Sequence, residues 1–254
     1  MPECKIIVAT HKPYWMPSDP CYFPLQVGSA GKSSFGIARD DYGDSISSKN
    51  IWYCELTGIY WAWKNLRADY IGLVHYRRYF SKQVNLVQGK KAILNSNDWL
   101  EMLKQHPLIL PARRNYFIAC RRNQFLKAHG ALAVDCLENV LRKLHPRYFV
   151  DYEASLAKTW GHIFNMFVMR RDIFDAYCSW LFPFLGHIEE EIRKCRGAIP
   201  PRLLGFIAER LLDVWIEHNR LPYKELNYVN LETINWPAKI FAFIKRTFAP
   251  TKPE

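Results

Sequence analysis

The stretch "DYIGLVHYRRYF", Asp69 to Phe80, constrains the fold more than any other. Its first half is a short apolar run, read as a buried strand from Tyr70 to Tyr76 rather than a helix. Its second half sets a histidine and two arginines at the C-terminal end of that strand. A buried strand whose end carries positive charge fits a sheet covered by helices, with its carboxyl edge opening on a crevice.

The flanking segments supply the rest of such a layer. "KIIVATHK" (Lys5 to Lys12) reads as a first buried strand. "PYWMPSDP" holds three prolines and is a loop, and "SAGKSSFGIARDDYGDSISSKN" is a long irregular segment. "NIWYCELTGIYWAWKNL" places Tyr53, Leu56, Tyr60 and Trp63 on one helical face, with Asn50 as N-cap. Strand, loop, helix, strand opens an α/β fold. Downstream, "DWLEMLKQHP" is a short helix stopped by Pro107 and "LILP" a short strand. Residues 121–145 are helical by pattern, and "HIFNMFVMRR" is a strand ending in a basic pair. "RDIFDAYCSWLFPFLGHIEEEIRK" is a long amphipathic helix broken or bent at Pro183 and Gly186. "LLGFIAERLLDVWIEHNRL" is another helix. No repeat or linker divides the chain, so residues 1–235 are expected to form one domain.

Residues 236–254 form a distinct tail. Ile240, Phe241, Ile244 and Phe248 share a helical face flanked by Lys239, Lys245 and Arg246, the pattern of a helix lying on an anionic membrane. A helix packed on the domain has the same pattern.

The formal charge of +11 over 254 residues favours anionic partners, whether phosphate esters, nucleic acid or an anionic lipid surface. Aromatic residues make up 15% of the chain, enough both to fill a core and to stack on sugar or base faces. The seven cysteines are odd in number and form no CxxC pair, which speaks against zinc binding and against a disulfide framework. Reduced thiols, and a start without an apolar leader, point to the cytoplasm. No apolar run is long enough to span a membrane, so any membrane contact is expected to be peripheral, at the inner face, through the tail.

The segments "VATHKPYWMPSDPCYFPLQVG", "ISSKNIWYCELTGIYWAWKN", "YIGLVHYRRYF", "LPARRNYFI", "HIFNMFVMRRDIFDAYCSWLF" and "GFIAERLLDVWI" run in order from Lys5 to about Asn219. Together they resemble the capsular-polysaccharide and exopolysaccharide biosynthesis family also known as domain of unknown function 4422. The resemblance implies a bacterial glycosyltransferase of GT-A-like fold. In such a fold a Rossmann-type nucleotide-binding sheet flanked by helices is joined to a helix-rich, acceptor-side C-terminal half. It also implies a nucleotide-diphosphate donor, expected to be a UDP-sugar, and a glycan or lipid-linked acceptor. Some members are linked to galactofuranose transfer, which makes galactofuranose a candidate sugar here.

Breaking a bond between a sugar and a diphosphate puts negative charge on the β-phosphate, and something positive must meet it. Most GT-A-type enzymes use a divalent cation held by Asp-x-Asp. This chain contains no Asp-x-Asp; "DYGD" and "DIFD" have the wrong spacing. On a regular strand His75 and Arg77 would share one face, and Tyr76 and Arg78 the other. A guanidinium fits phosphate oxygens bidentately. Arg77, helped by His75, is therefore expected to replace the cation, with no metal or other cofactor required. Pairing of Arg77 and Arg78 with carboxylates is the plainer alternative.

Further donor-site candidates are Thr10, His11 and Lys12 at the end of the first strand, Gln26 with Gly28 in "PLQVG", and Asp44, Lys49 and Asn50 before the next helix. Arg78 joins them, as do Arg113 and Arg114 in "LPARRNY"; these two fit diphosphate contact, acceptor-phosphate contact or a solvated turn. The part of such enzymes that "HIFNMF" resembles faces donor sugar and acceptor, which nominates His162 and Asn165. By the same resemblance Glu209, on a helix in "GFIAERLLDVWI", is the candidate base for the acceptor hydroxyl; Glu55, in the earlier helix, is the backup base or an acceptor contact, and reads equally as a helix-face or core-network residue. Glu209 paired structurally with Arg210 reads equally well. Two other classes share these features. A nucleic-acid-binding module would explain basic pairs among aromatics but predicts a continuous basic stripe. A non-catalytic scaffold of a polysaccharide assembly complex would keep the fold without turnover.

Overall fold

The computed structural model describes residues 2–82, 86–116 and 119–232, so the tail and the domain boundary before it lie outside the described residues. The chain opens with β1 (Cys4–Thr10), β2 (Tyr22–Gln26) and the short β3 (Ala38–Arg39), then α1 (Asn50–Tyr53) and α2 (Leu56–Asn65). A hairpin of β4 (Tyr70–His75) and β5 (Arg78–Ser81) follows, then α3 (Ser96–Gln105), β6 (Leu108–Pro111) and β7 (Arg114–Asn115). Helices α4 (Arg121–His129), α5 (Ala131–Leu144) and α6 (Phe149–Ala157) lead to β8 (Trp160–Gly161) and β9 (Phe167–Arg170). The long α7 (Arg171–Arg196), α8 (Leu203–His218) and β10 (Lys224–Asn230) complete the described chain.

The main sheet has the order β3-β2-β1-β4-β5-β10-β6-β9, and β9 pairs with β4 as well. Strands β3, β2, β1 and β4 run parallel, with Ala9 of β1 opposite His75 of β4. Past β4 the sheet turns mixed, and β4, β5, β10, β6 and β9 close on one another. Gly72 makes the β4–β9 approach possible: a Cβ there would lie 3.0 Å from the Phe167 carbonyl and 2.8 Å from the Val168 side chain.

Both faces of β1 are covered, so its run is apolar throughout instead of alternating. Ile7 belongs to the larger core cluster, shared with α2, α5, α7 and α8. Ile6 and Val8 belong to the smaller one, with Trp99 of α3 and a residue from each of the five closing strands: Val74, Phe80, Val229, Ile109 and Val168. The expected architecture, an α/β sheet flanked by helices with a helix-rich C-terminal half, is the one formed. Among the described residues no helix is long and apolar enough to cross a membrane.

Several element readings change. The strand read as Tyr70–Tyr76 stops at His75, because the chain turns at Tyr76-Arg77 and pairs His75 with Arg78. The helix read from Asn50 is two helices, split at Cys54, whose backbone has φ 53°. Asn50 sits inside α1, not at its cap. Residues 121–145 divide at Gly130. By contrast α7 is unbroken through Pro183 and Gly186. The "HIFNMFVMRR" strand is confined to Phe167–Arg170 because Phe164 and Asn165 both adopt left-handed backbone.

Candidate active site

A cleft of about 600 Å³ opens where β1 and β4 end. One wall is the β4–β5 hairpin, which contributes His75, Tyr76, Arg77 and Arg78. The α1–α2 junction lines the cleft with Asn50, Ile51, Cys54 and Glu55, and the N-terminal half of α8 with Phe206 and Glu209 and its cap Arg202. Arg114 and the Ile163-Phe164 segment also line it, and His11 comes from just beyond β1.

Four guanidinium groups therefore face one space: Arg77, Arg78, Arg114 and Arg202. Their field is felt by His11. Burial lowers its pKa first, and Lys12, Arg77, Lys32 and Arg202 all lower it further. Burial, then Arg77, does the same to Arg78, whose guanidinium lies 4.2 Å from the Phe164 ring centroid. Arg77 pairs with Glu232 just after β10, Nη1 to Oε2 at 2.8 Å, and Lys12 Nζ lies 3.7 Å from the same carboxylate. Because β4 ends before Tyr76, alternation does not apply beyond it, and His75, Arg77 and Arg78 all reach the cleft.

Three titratable groups meet around the Phe164-Asn165 turn. His75 Nε2 lies 2.7 Å from the Phe164 carbonyl. A carbonyl only accepts, so Nε2 carries the proton and Nδ1 is the acceptor of the neutral ring. Burial lowers the His75 pKa, with Glu55 opposing. The Phe164 N–H donates to Glu209 Oε1 at 3.2 Å, and Arg210 Nη1 donates to Glu209 Oε2 at 3.2 Å. Burial raises the Glu209 carboxyl above its usual range; Arg210 opposes this and the Glu55 charge adds to it. Asn165 Nδ2 donates to Glu55 Oε1 at 2.8 Å. A left-handed backbone at a non-glycine residue is costly, and a bulky phenylalanine bears it worse than asparagine. Cys54, Phe164, Asn165 and Arg202 all have positive φ, and all four lie in the cleft walls or directly behind them. His162 and Asn165 both lie ahead of β9, Asn165 in the turn itself, so strand alternation does not govern them.

Of the remaining candidates all but Asn50 lie apart from the cleft or behind its walls. Thr10 is buried, its hydroxyl donating to the Lys12 carbonyl at 2.6 Å. Lys12 is exposed and lies over the Tyr14 and Tyr76 rings. Gln26 is buried and ties down the following loop through Ser33 and Phe35. Gly28 has φ 60° and sits so close to Asn50 that a Cβ would overlap that side chain. Asn50 itself lines the cleft, while its amide donates to the Cys54 carbonyl and the Thr57 hydroxyl. Asp44 accepts from Tyr60, Lys49 pairs with Glu189, and Arg113 pairs with Glu225. His162 is buried, its Nδ1 2.5 Å from Asp213 and its Nε2 3.3 Å from Glu225.

Sequence reading overlooked Arg202, although the Pro200-Pro201 pair ahead of an apolar helical run marks a helix start there. It also overlooked Asp40, fully buried and accepting from the Gly28 and Ser29 amides and the Ser29, Ser47 and Thr57 hydroxyls. That carboxylate anchors the loop after β2 to α2 beneath the cleft. Among the described residues, no group of three or more His, Cys, Asp or Glu side chains is placed to hold a metal ion.

The family described as Domain of unknown function (DUF4422) matches residues 5–220. A solved structure of WbbM, a bifunctional glycosyltransferase in its apo form, superposes with a TM-score of 0.80 at 29% identity. The match covers 91% of this chain and 46% of that one, so the chain spans less than half of that protein's length. No curated protein matches.

Proposed function

The chain belongs to the DUF4422 family, and from that premise we propose that it is a glycosyltransferase. It moves a sugar from a nucleotide-diphosphate donor, expected to be a UDP-sugar, to a glycan or lipid-linked acceptor in bacterial surface-polysaccharide synthesis. The observation that carries this reading is the meeting of four guanidinium groups with two carboxylates, Glu55 and Glu209, beyond the ends of β1 and β4. The likeness to WbbM supports it.

In this reading the donor diphosphate lies along Arg77 and Arg78, within reach of Arg114 and Arg202. As the bond from the sugar carbon to the β-phosphate oxygen breaks, its electron pair passes to that oxygen, and the guanidinium groups neutralise the charge. Glu209 takes the proton of the attacking hydroxyl; its raised proton affinity is the property a base needs near neutral pH. The charged groups facing the cleft do not suit a divalent cation. They are mainly cationic, and the protein already donates hydrogen bonds to both carboxylates. The arginines are accordingly given the cation's task.

The test is a thermal-shift panel of UDP and UDP-sugars, UDP-galactofuranose included, followed by assay of UDP release with and without EDTA. Stabilisation by UDP and chelator-insensitive release are expected. Loss of activity in EDTA, restored by manganese, overturns the role given to the arginines. No binding of any nucleotide-sugar overturns the transferase reading. Strongly salt-dependent RNA or DNA binding in its place selects the nucleic-acid module.

A further inference from the structure

Asn165 is only 2% exposed and does not line the cleft, yet the cleft's geometry turns on it. Its Nδ2 donates to Glu55 Oε1 at 2.8 Å and to the Gly205 carbonyl at 3.2 Å. Both partners only accept, so the amide nitrogen must point at them and the side chain has one orientation. Its Oδ1 is left buried and, among the described residues, without a hydrogen-bond partner. The backbone beneath it is left-handed at two successive non-glycine positions, with φ 76° at Phe164 and 53° at Asn165. A fold that carries an unpaired buried carbonyl and two strained residues in one turn is holding that turn against its local preference. What it obtains is the placement of Glu55.

We infer that Asn165 is a positioning residue: its amide aims the Glu55 carboxylate into the cleft beside Glu209, so that the acceptor hydroxyl meets two carboxylates held by one turn. Phe164 fixes Glu209 through its backbone N–H, and Asn165 fixes Glu55 through its side chain. The reading rests on the proposed transferase chemistry, and it changes the part given to Asn165 from sugar contact to support. The charged groups around the pair are His75 from β4, Arg77 and Arg78 from the hairpin, Arg121 from α4, and Arg202 and Arg210 from α8. Within that surround Glu55 is the anionic neighbour that strengthens proton binding at Glu209.

The test is Asn165→Gly in the full chain. Glycine tolerates the left-handed backbone and removes only the amide. The expected result is a fall of roughly 10- to 100-fold in kcat for UDP-sugar turnover with the Kd for UDP unchanged. In the free protein the 13C signal of the Glu209 carboxyl should titrate at lower pH than in wild type, because Glu55 is no longer held beside it; Glu55→Gln should move it the same way. An unmoved Glu209 titration, or UDP binding weakened as much as kcat, overturns the inference. If Asn165→Gly does not fold, Asn165→Asp also accepts the backbone, and its carboxylate repels Glu55. It must then lose at least as much kcat at unchanged UDP affinity, and wild-type kcat in that variant overturns the inference. If wild type neither binds UDP nor releases it from any sugar donor, the transferase reading falls, while the Glu209 titration still decides the role of Asn165.

Discussion

Glu209 and Asp213 lie one turn apart on α8, on the same helix face, and behave oppositely. Burial pushes the Asp213 carboxyl up, but the Arg121 guanidinium at 2.8 Å and the His162 ring outweigh it and hold it below the usual range. The network closes on itself, since Arg121 also donates to the Ser155 hydroxyl and Asp213 accepts from the His162 N–H. Glu209 is nearly as enclosed, but one amide and its neighbour Arg210 do not compensate its burial, and its proton affinity rises. A buried carboxylate saturated by cations fits a structural joint, while one left short of compensation at a cleft fits the part of base proposed for Glu209. The same distinction separates His162 from His75: one is closed in by two carboxylates, the other holds a single carbonyl at the cleft wall.

The comparison can be broken first at Asp213. Asp213→Ala leaves Arg121 buried without its carboxylate, and a loss of about 3–5 kcal/mol is expected, measured by chemical unfolding. A variant as stable as wild type would erase the contrast. Glu209→Gln should do the reverse: turnover falls by roughly 10²–10⁴-fold, while stability at neutral pH holds or rises and UDP still binds. Next comes Arg77→Ala, expected to weaken UDP binding by roughly 10- to 100-fold through loss of charge-assisted hydrogen bonds, read by calorimetry.

Acidity separates the two carboxylates further. Asp213, held low when folded, gives stability that is complete above the ordinary aspartate range and is lost as pH falls through the lowered value. Glu209 has the opposite sign: its contribution is complete below the ordinary glutamate range and is lost as pH rises through the raised value. Turnover should show an acid limb above that ordinary range, since the base must be ionised. Unfolding and rate profiles of wild type and Glu209→Gln check both statements; a limb unchanged in residual Glu209→Gln turnover would reassign it. The smallest expected effect is at Glu232. Glu232→Gln frees Arg77 and Lys12 from a half-exposed carboxylate and should tighten UDP binding by only roughly two- to five-fold.

Much of the layer was legible because it follows from burial. The β1 and β4 runs are apolar since helices cover both faces, and α8 shows its buried stripe directly. Strands β2 and β10 were missed: β2 carries Pro24, and β10 is polar apart from Leu226, Tyr228 and Val229. In the cleft, the basic hairpin and the carboxylates were legible as residue types at element ends. Their partners were not. Whether Lys49, Arg113 or His162 reaches a ligand depends on Glu189, Glu225 and Asp213, which lie far along the chain, and spacing carries no signal for such pairs. The left-handed pair was half legible: Asn165 is a residue that tolerates that backbone, and Phe164 is not.

The double engagement of β9, with β4 along Tyr70–Leu73 and with β6 at Leu108 and Ile109, has a consequence for how the protein can be altered. Inserting or deleting one residue between Gly161 and Phe167 would slip that strand against two neighbours at once and reverse which side each residue faces. The Phe164 amide would then leave Glu209, and its carbonyl would leave His75, without any change in the identity of either. The exposed loop at 31–36 is held by side chains instead of by two strands, through Gln26 at Ser33 and Phe35 and through Arg39 at Lys32. Libraries that vary length should be directed there, and those that vary chemistry to the hairpin.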